Sequence, residues 1–286
     1  MTKKIPLTII ILNYNNFTDT FECLKSLRKS SVKFDTFVLD NGSMDDSCEK
    51  LKKIAQKSEK IIRSENNLGF AEGNNYCAKF TLENKSEYIL LINNDMTVRS
   101  NTVEVLYNDI AKNDLIGAIS PLIYYADKTR IWYAGGKIDW FKTGVSYSFE
   151  ILPQNNLLQP TGFCSGGCLI MRTKLFQKLN GFDARYFAYS EDSDLSEKIK
   201  NNGKQLFFEP NAIVYHKVNA TLGSRSPLQI YYHVRNKFLF LQKNEILIRR
   251  KDSGGIRQLF RIKRSGIKLI FCINQHFPRH YYIREK

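Results

Sequence analysis

The chain has 286 residues, 43% of them hydrophobic and 25% charged, which suits one large α/β domain with an appendage. No window reaches the ~18 apolar residues of a spanning helix, and the formal net charge of +15 calls for an anionic partner: a nucleotide, a nucleic acid or an acidic membrane surface. The six cysteines (23, 48, 77, 164, 168 and 272) are scattered, so they build no disulfide framework and point to a reducing compartment.

Lys3-Lys4 followed by Ile5–Leu12 imitates a signal peptide. The apolar run is short, contains Pro6 and lacks a small-residue cleavage site, so a first strand over Leu7–Leu12 explains it better. That strand ends in Asn13-Tyr14-Asn15, and a helix over 18–29 follows, with Phe21, Leu24 and Leu27 on one face. Phe34–Leu39 is a second strand, ending in Asp40-Asn41-Gly42-Ser43, and another helix starts near Asp45. Ile61-Ile62 is a short third strand, Asn66–Phe70 a glycine-containing turn, and 71–84 a helix. Tyr88–Ile92 is a buried fourth strand that ends in Asn93-Asn94-Asp95.

Four strand–helix alternations predict a Rossmann-like, doubly wound, mostly parallel sheet with right-handed crossovers. The polar ends 13–15, 40–43 and 93–95 then line one edge, the place where open α/β sheets bind ligands. The chain lacks both G-x-G-x-x-G after its first strand and the G-x-x-x-x-G-K-S/T phosphate loop. A carboxylate at 95 backed by a hydrophobic wall suits a divalent cation holding phosphates, although Asn and Asp are also ordinary turn residues.

A helix over 100–113 and a strand over Ile116–Tyr125 come next. Residues 126–165 lose the α/β rhythm and read as an irregular, partly β insertion, whose Trp132, Tyr133, Trp140 and Tyr147 either stack on sugar rings or pack a small core. Cys164 and Cys168 have no second pair and no nearby histidine to complete a zinc site, and are small apolar fillers. Ser165-Gly166-Gly167 permits close backbone approach, to a sugar, a diphosphate or a bulged strand. Beyond the strand Cys168–Arg172, Ser190 reads as the N-cap of a helix with Leu195 and Ile199 on one face and Gly203 at its stop. Glu191, Asp192 and Asp194 crowd that helix N-terminus, where the dipole favours ionised carboxylates and a general base has a good seat. Residues 205–215 read as short strands, after which His216 offers an imidazole suited to manganese and similar ions.

In this order, Asn13-Tyr14-Asn15, Asp40-Asn41-Gly42-Ser43, Asn67-Leu68-Gly69-Phe70-Ala71 through Gly73-Asn74-Asn75, Asn93-Asn94-Asp95, Ser165-Gly166-Gly167, Glu191-Asp192-x-Asp194 and His216 resemble a family-two inverting glycosyltransferase of the glycosyltransferase-A fold, over roughly 5–240. The rhamnosyltransferase-like subgroup of cell-surface polysaccharide assembly is the nearest match, through Asn-Leu-Gly-Phe-Ala and Tyr232-x-x-Arg235-Asn236. The resemblance implies a nucleoside-diphosphate sugar donor and a saccharide or polyprenyl-linked saccharide acceptor. It implies donor contacts at Asn13, Asn15, Asp40, Gly69, Asn75, Asn93 and Asn94, with Asn15 and Asp40 on base and ribose. Asp95 and His216 would hold Mn2+ or Mg2+, Asp192 would deprotonate the acceptor hydroxyl, and Gly166, Gly167, Glu191 and Asp194 would orient acceptor or sugar. Asn93 stands where the family's metal motif often has aspartate, which puts strict metal dependence in doubt.

The expected organisation is a catalytic domain over 1–225, with a nucleotide-binding half 1–115 and an acceptor-binding half 116–225, and a helical, basic segment over 226–286. Ser226-Pro227 opens a helix to about Leu247. The tail from 243 to 286 carries twelve Lys/Arg against three Asp/Glu. In 256–271 apolar and basic residues recur at helical spacing, the pattern of a helix lying on an anionic membrane surface and hence of a cytoplasmic protein peripheral to the inner face of the membrane; a packed helix with a solvated basic face has the same pattern. A nucleic-acid binder would present a recognisable module, and 93–95 and 191–194 would repel its ligand. The remaining alternatives are a sugar-nucleotide nucleotidyltransferase and a catalytically degenerate transferase that only binds glycan or nucleotide.

Overall fold

The computed structural model describes residues 3–139, 144–147, 157–218, 226–244, 248–252 and 255–260. The chain divides into two compact units, Met1–Asn236 and Lys237–Lys286. The first carries β1 (Lys4–Asn13), α1 (Phe17–Leu27), β2 (Lys33–Asn41), α2 (Ser47–Ile54), β3 (Glu59–Ser64), α3 (Gly69–Glu83), β4 (Tyr88–Asn93), β5 (Met96–Val98), α4 (Thr102–Lys112), β6 (Ile116–Tyr125), β7 (Ile131–Tyr133), β8 (Gly136–Asp139), β9 (Gly144–Tyr147), β10 (Gln159–Thr161), β11 (Cys168–Arg172), α5 (Thr173–Lys178), α6 (Glu191–Asn201), β12 (Gln205–His216) and the start of α7 (Pro227–Lys243).

Ten strands form one sheet, in the order β10-β12-β6-β11-β4-β1-β2-β3, with β5 beside β12 and β7 beside β6. β1 pairs parallel with β2 and β4, and β2 with β3. β11 runs antiparallel between β4 and β6, which sets β6 and its parallel partner β12 in the same direction as β4. The carboxyl ends of six strands therefore share one edge, and the expected mostly parallel sheet is present. Central strands are covered on both faces, so they read as unbroken apolar runs: Ile9, Ile10 and Ile11 are wholly buried, as are Ile89 and Leu91. The helices expected over 18–29, 71–84 and 100–113 appear with ends shifted by one or two residues, the helix expected to about Leu247 runs to Lys243 with 245–247 outside the described residues, and 205–216 is one strand with an irregular register between Glu209 and Ile213.

Within 126–165 the structure separates the aromatics by role. Tyr133 is wholly buried, packs edge-on against Phe163 and Phe208, and donates its hydroxyl to the Phe163 carbonyl at 2.6 Å. Trp132 lies edge-on to the His216 ring, centroids 4.6 Å apart. Trp140 falls outside the described residues. The expectation for Cys164 and Cys168 matches the structure: both are buried, and burial pushes their thiols well above the ordinary range, Cys164 to about 12.

The second unit contains the end of α7 and an antiparallel pair, β13 (Ile248–Asp252) and β14 (Gly255–Phe260). The helix expected from 256 onward is thus corrected over 256–260, which run as a strand, while 261–271 lie outside the described residues. Ile256, Leu259 and Phe260 are too short a run to separate the two periods. Among the described residues no helix is long and apolar enough to cross a membrane.

Gly69 opens α3 at φ +75°, and a Cβ there would lie 2.4 Å from the Phe187 carbonyl oxygen; Gly203, past the end of α6, has φ +73° with nothing within 4 Å of such a Cβ. Gly203→Ala should therefore cost about 1 kcal/mol in denaturant unfolding, the left-handed penalty alone. Gly69→Ala should cost about 3 kcal/mol or more, because backbone must also move.

Candidate active site

The shared sheet edge gathers polar residues far apart in the chain. Asn13 pairs with Asp40 in the ladder, and Leu12 with Asn93. A buried relay joins these ends: Asn13 Nδ2 donates to Asp40 Oδ1 (3.0 Å), Thr20 Oγ1 donates to Asn13 Oδ1 (2.7 Å), and Asn94 Nδ2 donates to Thr20 Oγ1 (3.0 Å). Asn13 and Asp40 are wholly buried and Asn94 nearly so, and Asp40 Oδ2 has no hydrogen-bond partner. Asn15 is the exposed member. Its φ of 48° is left-handed, and it is fastened by Asn15 N donating to Ser43 Oγ (2.9 Å) and Met44 N donating to Asn15 Oδ1 (2.8 Å).

Two other expected donor contacts are occupied by the fold. Asn75 Nδ2 donates to the Phe182 carbonyl and its Oδ1 accepts from Phe182 N, both at 2.9 Å. Gly69 O accepts from Asn41 Nδ2 (3.1 Å), and the next amide, Phe70 N, donates to Phe187 O (2.6 Å). Thr20, Asn41, Ser43 and Phe187 carry this scaffolding and were not singled out in the sequence; of these, Asn41 and Ser43 stood in a polar strand end, a usable signal.

Asp95 and His216, 121 positions apart, meet because β5 pairs antiparallel with β12, Met96 opposite His216. His216 Nε2 lies 3.2 Å from Asp95 Oδ2, with both side chains nearly buried. Two lone-pair donors facing each other at that distance need a proton or a cation between them, and an oxygen–nitrogen pair suits Mn2+ or Mg2+. His216 Nδ1 is buried without a hydrogen-bond partner, so no second contact settles where the ring carries its proton. Among the described residues no cluster of three or more His, Cys, Asp or Glu forms a metal cage. The residues thus fit a cation held by two protein ligands, with remaining positions left to substrate phosphates and water, a common arrangement for Mg2+.

Gly166 and Gly167 join that pair to the acids of α6. Gly166 N donates to Asp192 Oδ2 (3.1 Å), and Asn93 N donates to Gly167 O (2.9 Å). A Cβ on Gly166 would stand 3.1 Å from Asp192 Cβ. Asp192 therefore touches this strip of backbone, and Asn93, two residues before Asp95, is bonded to it. Ser190 is the N-cap residue of α6 as expected, at φ 71° and with no side-chain cap bond. Ser193 N donates to Asp192 Oδ1 at 2.7 Å instead.

The acids are not the simply ionised set that the helix dipole suggested. Burial raises Glu191 well above the usual carboxylate range and the neighbouring Asp192 raises it further; Glu191 Oε2 has no hydrogen-bond partner. Burial also raises Asp192, opposed by the amides of Gly166 and Ser193. Desolvation outweighs the dipole here. Asp194 is buried and lies 3.6 Å from Lys198 Nζ.

A family profile described as Glycosyl transferase family 2 matches residues 8–179, more than half of the chain, and one described as N-terminal domain of galactosyltransferase matches 149–220. The N-acetylglucosaminyl-diphospho-decaprenol L-rhamnosyltransferase of Mycobacterium tuberculosis is 34% identical over 84 residues, 29% of this chain and 27% of that relative. Rhamnosyltransferase WbbL of Escherichia coli K12 is 26% identical over 198 residues, 64% of this chain and 73% of the relative. A crystal structure of GalNAc-T7 with UDP, GalNAc and Mn2+ superposes with a TM-score of 0.68 at 18% identity, over 82% of this chain and 47% of that one. That likeness speaks for the fold.

A carboxyl group raised in the folded state binds its proton more tightly there, so ionising it costs stability at high pH. Glu191→Gln should raise the unfolding temperature above the folded-state value of Glu191. The gain should shrink as pH falls through that value and vanish below the ordinary 4.5, measured as melting temperature against pH.

Proposed function

The chain belongs to glycosyl transferase family 2, with rhamnosyltransferase-like relatives, and on that premise we propose that it transfers a sugar, in our reading rhamnose or another hexose, from a nucleoside diphosphate to a saccharide hydroxyl with inversion. The observation that supports this most directly is the Gly166–Gly167 step, with Asp192 bonded to one residue and Asn93, at the end of the strand that leads to Asp95, bonded to the next, while His216 of β12 meets Asp95 at 3.2 Å. A base for the acceptor and a pair suited to a phosphate-bridging cation then face one cleft. The nucleotidyltransferase alternative loses its ground to the family membership.

In this reading Asn15 and the 42–44 turn meet the nucleoside, supported from behind by Asn13, Asp40 and Ser43. Asp95 and His216 would hold a divalent cation, which when bound neutralises charge on the diphosphate. The Asp192 carboxylate takes the proton of the acceptor hydroxyl as its oxygen bonds to the anomeric carbon; the bond from that carbon to the diphosphate oxygen breaks, and the nucleoside diphosphate leaves with the electron pair. Attack from the face opposite the leaving group inverts the centre. Burial raises the Asp192 pKa, which makes its carboxylate a stronger base than an ordinary aspartate. Glu191 is raised by the same burial and by the charge of Asp192 beside it. The name of the mycobacterial relative supports a lipid-diphosphate-linked acceptor of the kind used in cell-surface glycan assembly, and the basic composition of 243–286 would suit work at an anionic surface.

Asp192→Asn should fold as the wild type and bind dTDP or UDP with Mn2+ unchanged, while losing about 1,000-fold or more in transfer. Wild-type turnover by the folded variant would overturn the role of Asp192. His216→Ala should remove most of the Mn2+-dependent part of nucleotide binding, read by titration calorimetry with and without the metal. An Mn2+ increment equal to wild type in that variant would count against the Asp95–His216 pair.

A further inference from the structure

The segment that delivers Asp192 is itself held by a residue of α7. Tyr189 and Ser190, just ahead of α6, both have left-handed backbones, at φ 70° and 71°. Neither residue type settles there by itself, and two in succession are strained. Surrounding contacts must impose the turn. Asn236 is wholly buried, and its Nδ2 donates to the carbonyls of Ala188 and Tyr189, both at 2.7 Å. One amide nitrogen has two hydrogens, and each takes one carbonyl. Arg235 Nη1 donates to Asn236 Oδ1 (3.1 Å) and to the Arg185 carbonyl (3.0 Å). A guanidinium only donates, so it fixes which end of the amide faces the turn.

Aromatic rings brace the same segment. Tyr232, one helical turn before Asn236, stacks on Phe187 with centroids 5.1 Å apart and planes 15° from parallel. His233 stacks on Tyr189 at 4.1 Å. Phe187 in turn accepts a hydrogen bond from Phe70 N, so the brace continues into the start of α3, at the nucleotide side of the edge. The chain from Arg185 to Ser190 is held from α7 on one side and α3 on the other.

We propose that Asn236, with Tyr232 and Arg235, is a positioning element for catalysis: it locks the left-handed Tyr189–Ser190 turn and so sets the aim of Asp192 toward the acceptor hydroxyl. The inference rests on the assignment of Asp192 made above. On this account the opening of α7 is part of the catalytic unit. It also explains the residue type at 236: an aspartate would set carboxylate oxygens against two carbonyls, and an alanine would leave both carbonyls buried without donors.

The test compares full-length wild type, Asn236→Ala, Tyr232→Ala and Tyr232→Phe by hydrogen exchange over residues 186–195, dTDP binding with Mn2+, and dTDP release from dTDP-rhamnose with saccharide acceptor. Asn236→Ala should exchange faster in 186–195 while β1 and β4 keep wild-type rates. Its kcat should fall about 100-fold, the scale of a misaimed catalytic group, with dTDP affinity within about twofold. Tyr232→Ala should shift both readouts the same way and Tyr232→Phe, which keeps the ring, should restore them. Should Asn236→Ala fail to fold, the Tyr232 pair decides. Wild-type exchange across 186–195 in the alanine variants overturns the proposal, as does faster exchange spread evenly over the sheet or a loss confined to KM. If wild type itself releases no dTDP, the donor in the proposed function fails, and exchange alone decides the positioning role.

Discussion

The close approach of the Gly166–Gly167 backbone to two other elements is the contact on which this arrangement turns. One peptide amide reaches the Asp192 carboxylate, and the next carbonyl takes the amide of Asn93. A side chain at 166 would press on Asp192 Cβ and one at 167 on Met96. Glycine is thus required for proximity rather than for an unusual φ. With that strip in place, the Asp192 carboxylate of α6 and the end of β4, which leads to Asp95, share a border without any long excursion of chain.

Direction and burial do the rest. Six strands run the same way, so every polar strand end falls on one edge, and the fold needs no special device to bring Asn13, Asp40, Asn93 and His216 there. Behind the edge, Asp40, Asn13, Thr20 and Asn94 form a chain of hydrogen bonds, with Asp40 Oδ2 left without a partner. Glu191 likewise lacks a partner on one oxygen, and Asp192 has two amides against desolvation. Burial raises both carboxyl groups above their ordinary values.

The positions named from sequence differ in what they touch. Asn15 is exposed at the edge, Asp192 bonds to the glycine strip, and Asp95 meets His216. Asn13 and Asn75 bond to other protein groups, as does one oxygen of Asp40. That division could not be drawn from residue type, because an asparagine whose amide is taken by Phe182 looks the same in sequence as one that awaits a ligand. Asn236 shows the converse. It sits in a helix with polar neighbours, and its partners lie 47 and 48 positions away, so nothing local marks it.

What the amino-acid order determined alone was local: apolar runs long enough for buried strands, helical periodicity between them, and polar or glycine residues at each strand end. These follow from interactions within a few residues, and they carried the α/β class and the ordered motifs of the family. The same local rules misjudged 256–260, where a short apolar run fits two periods, and placed Ser190 at the N-cap without foreseeing its left-handed backbone. Tertiary structure decided the antiparallel insertion of β11, the meeting of Asp95 with His216, the raised carboxyl pKa values beside Gly166 and the grip of Asn236 on the turn. Each depends on which surfaces lose water together, and desolvation is a property of the assembled fold rather than of any stretch of chain.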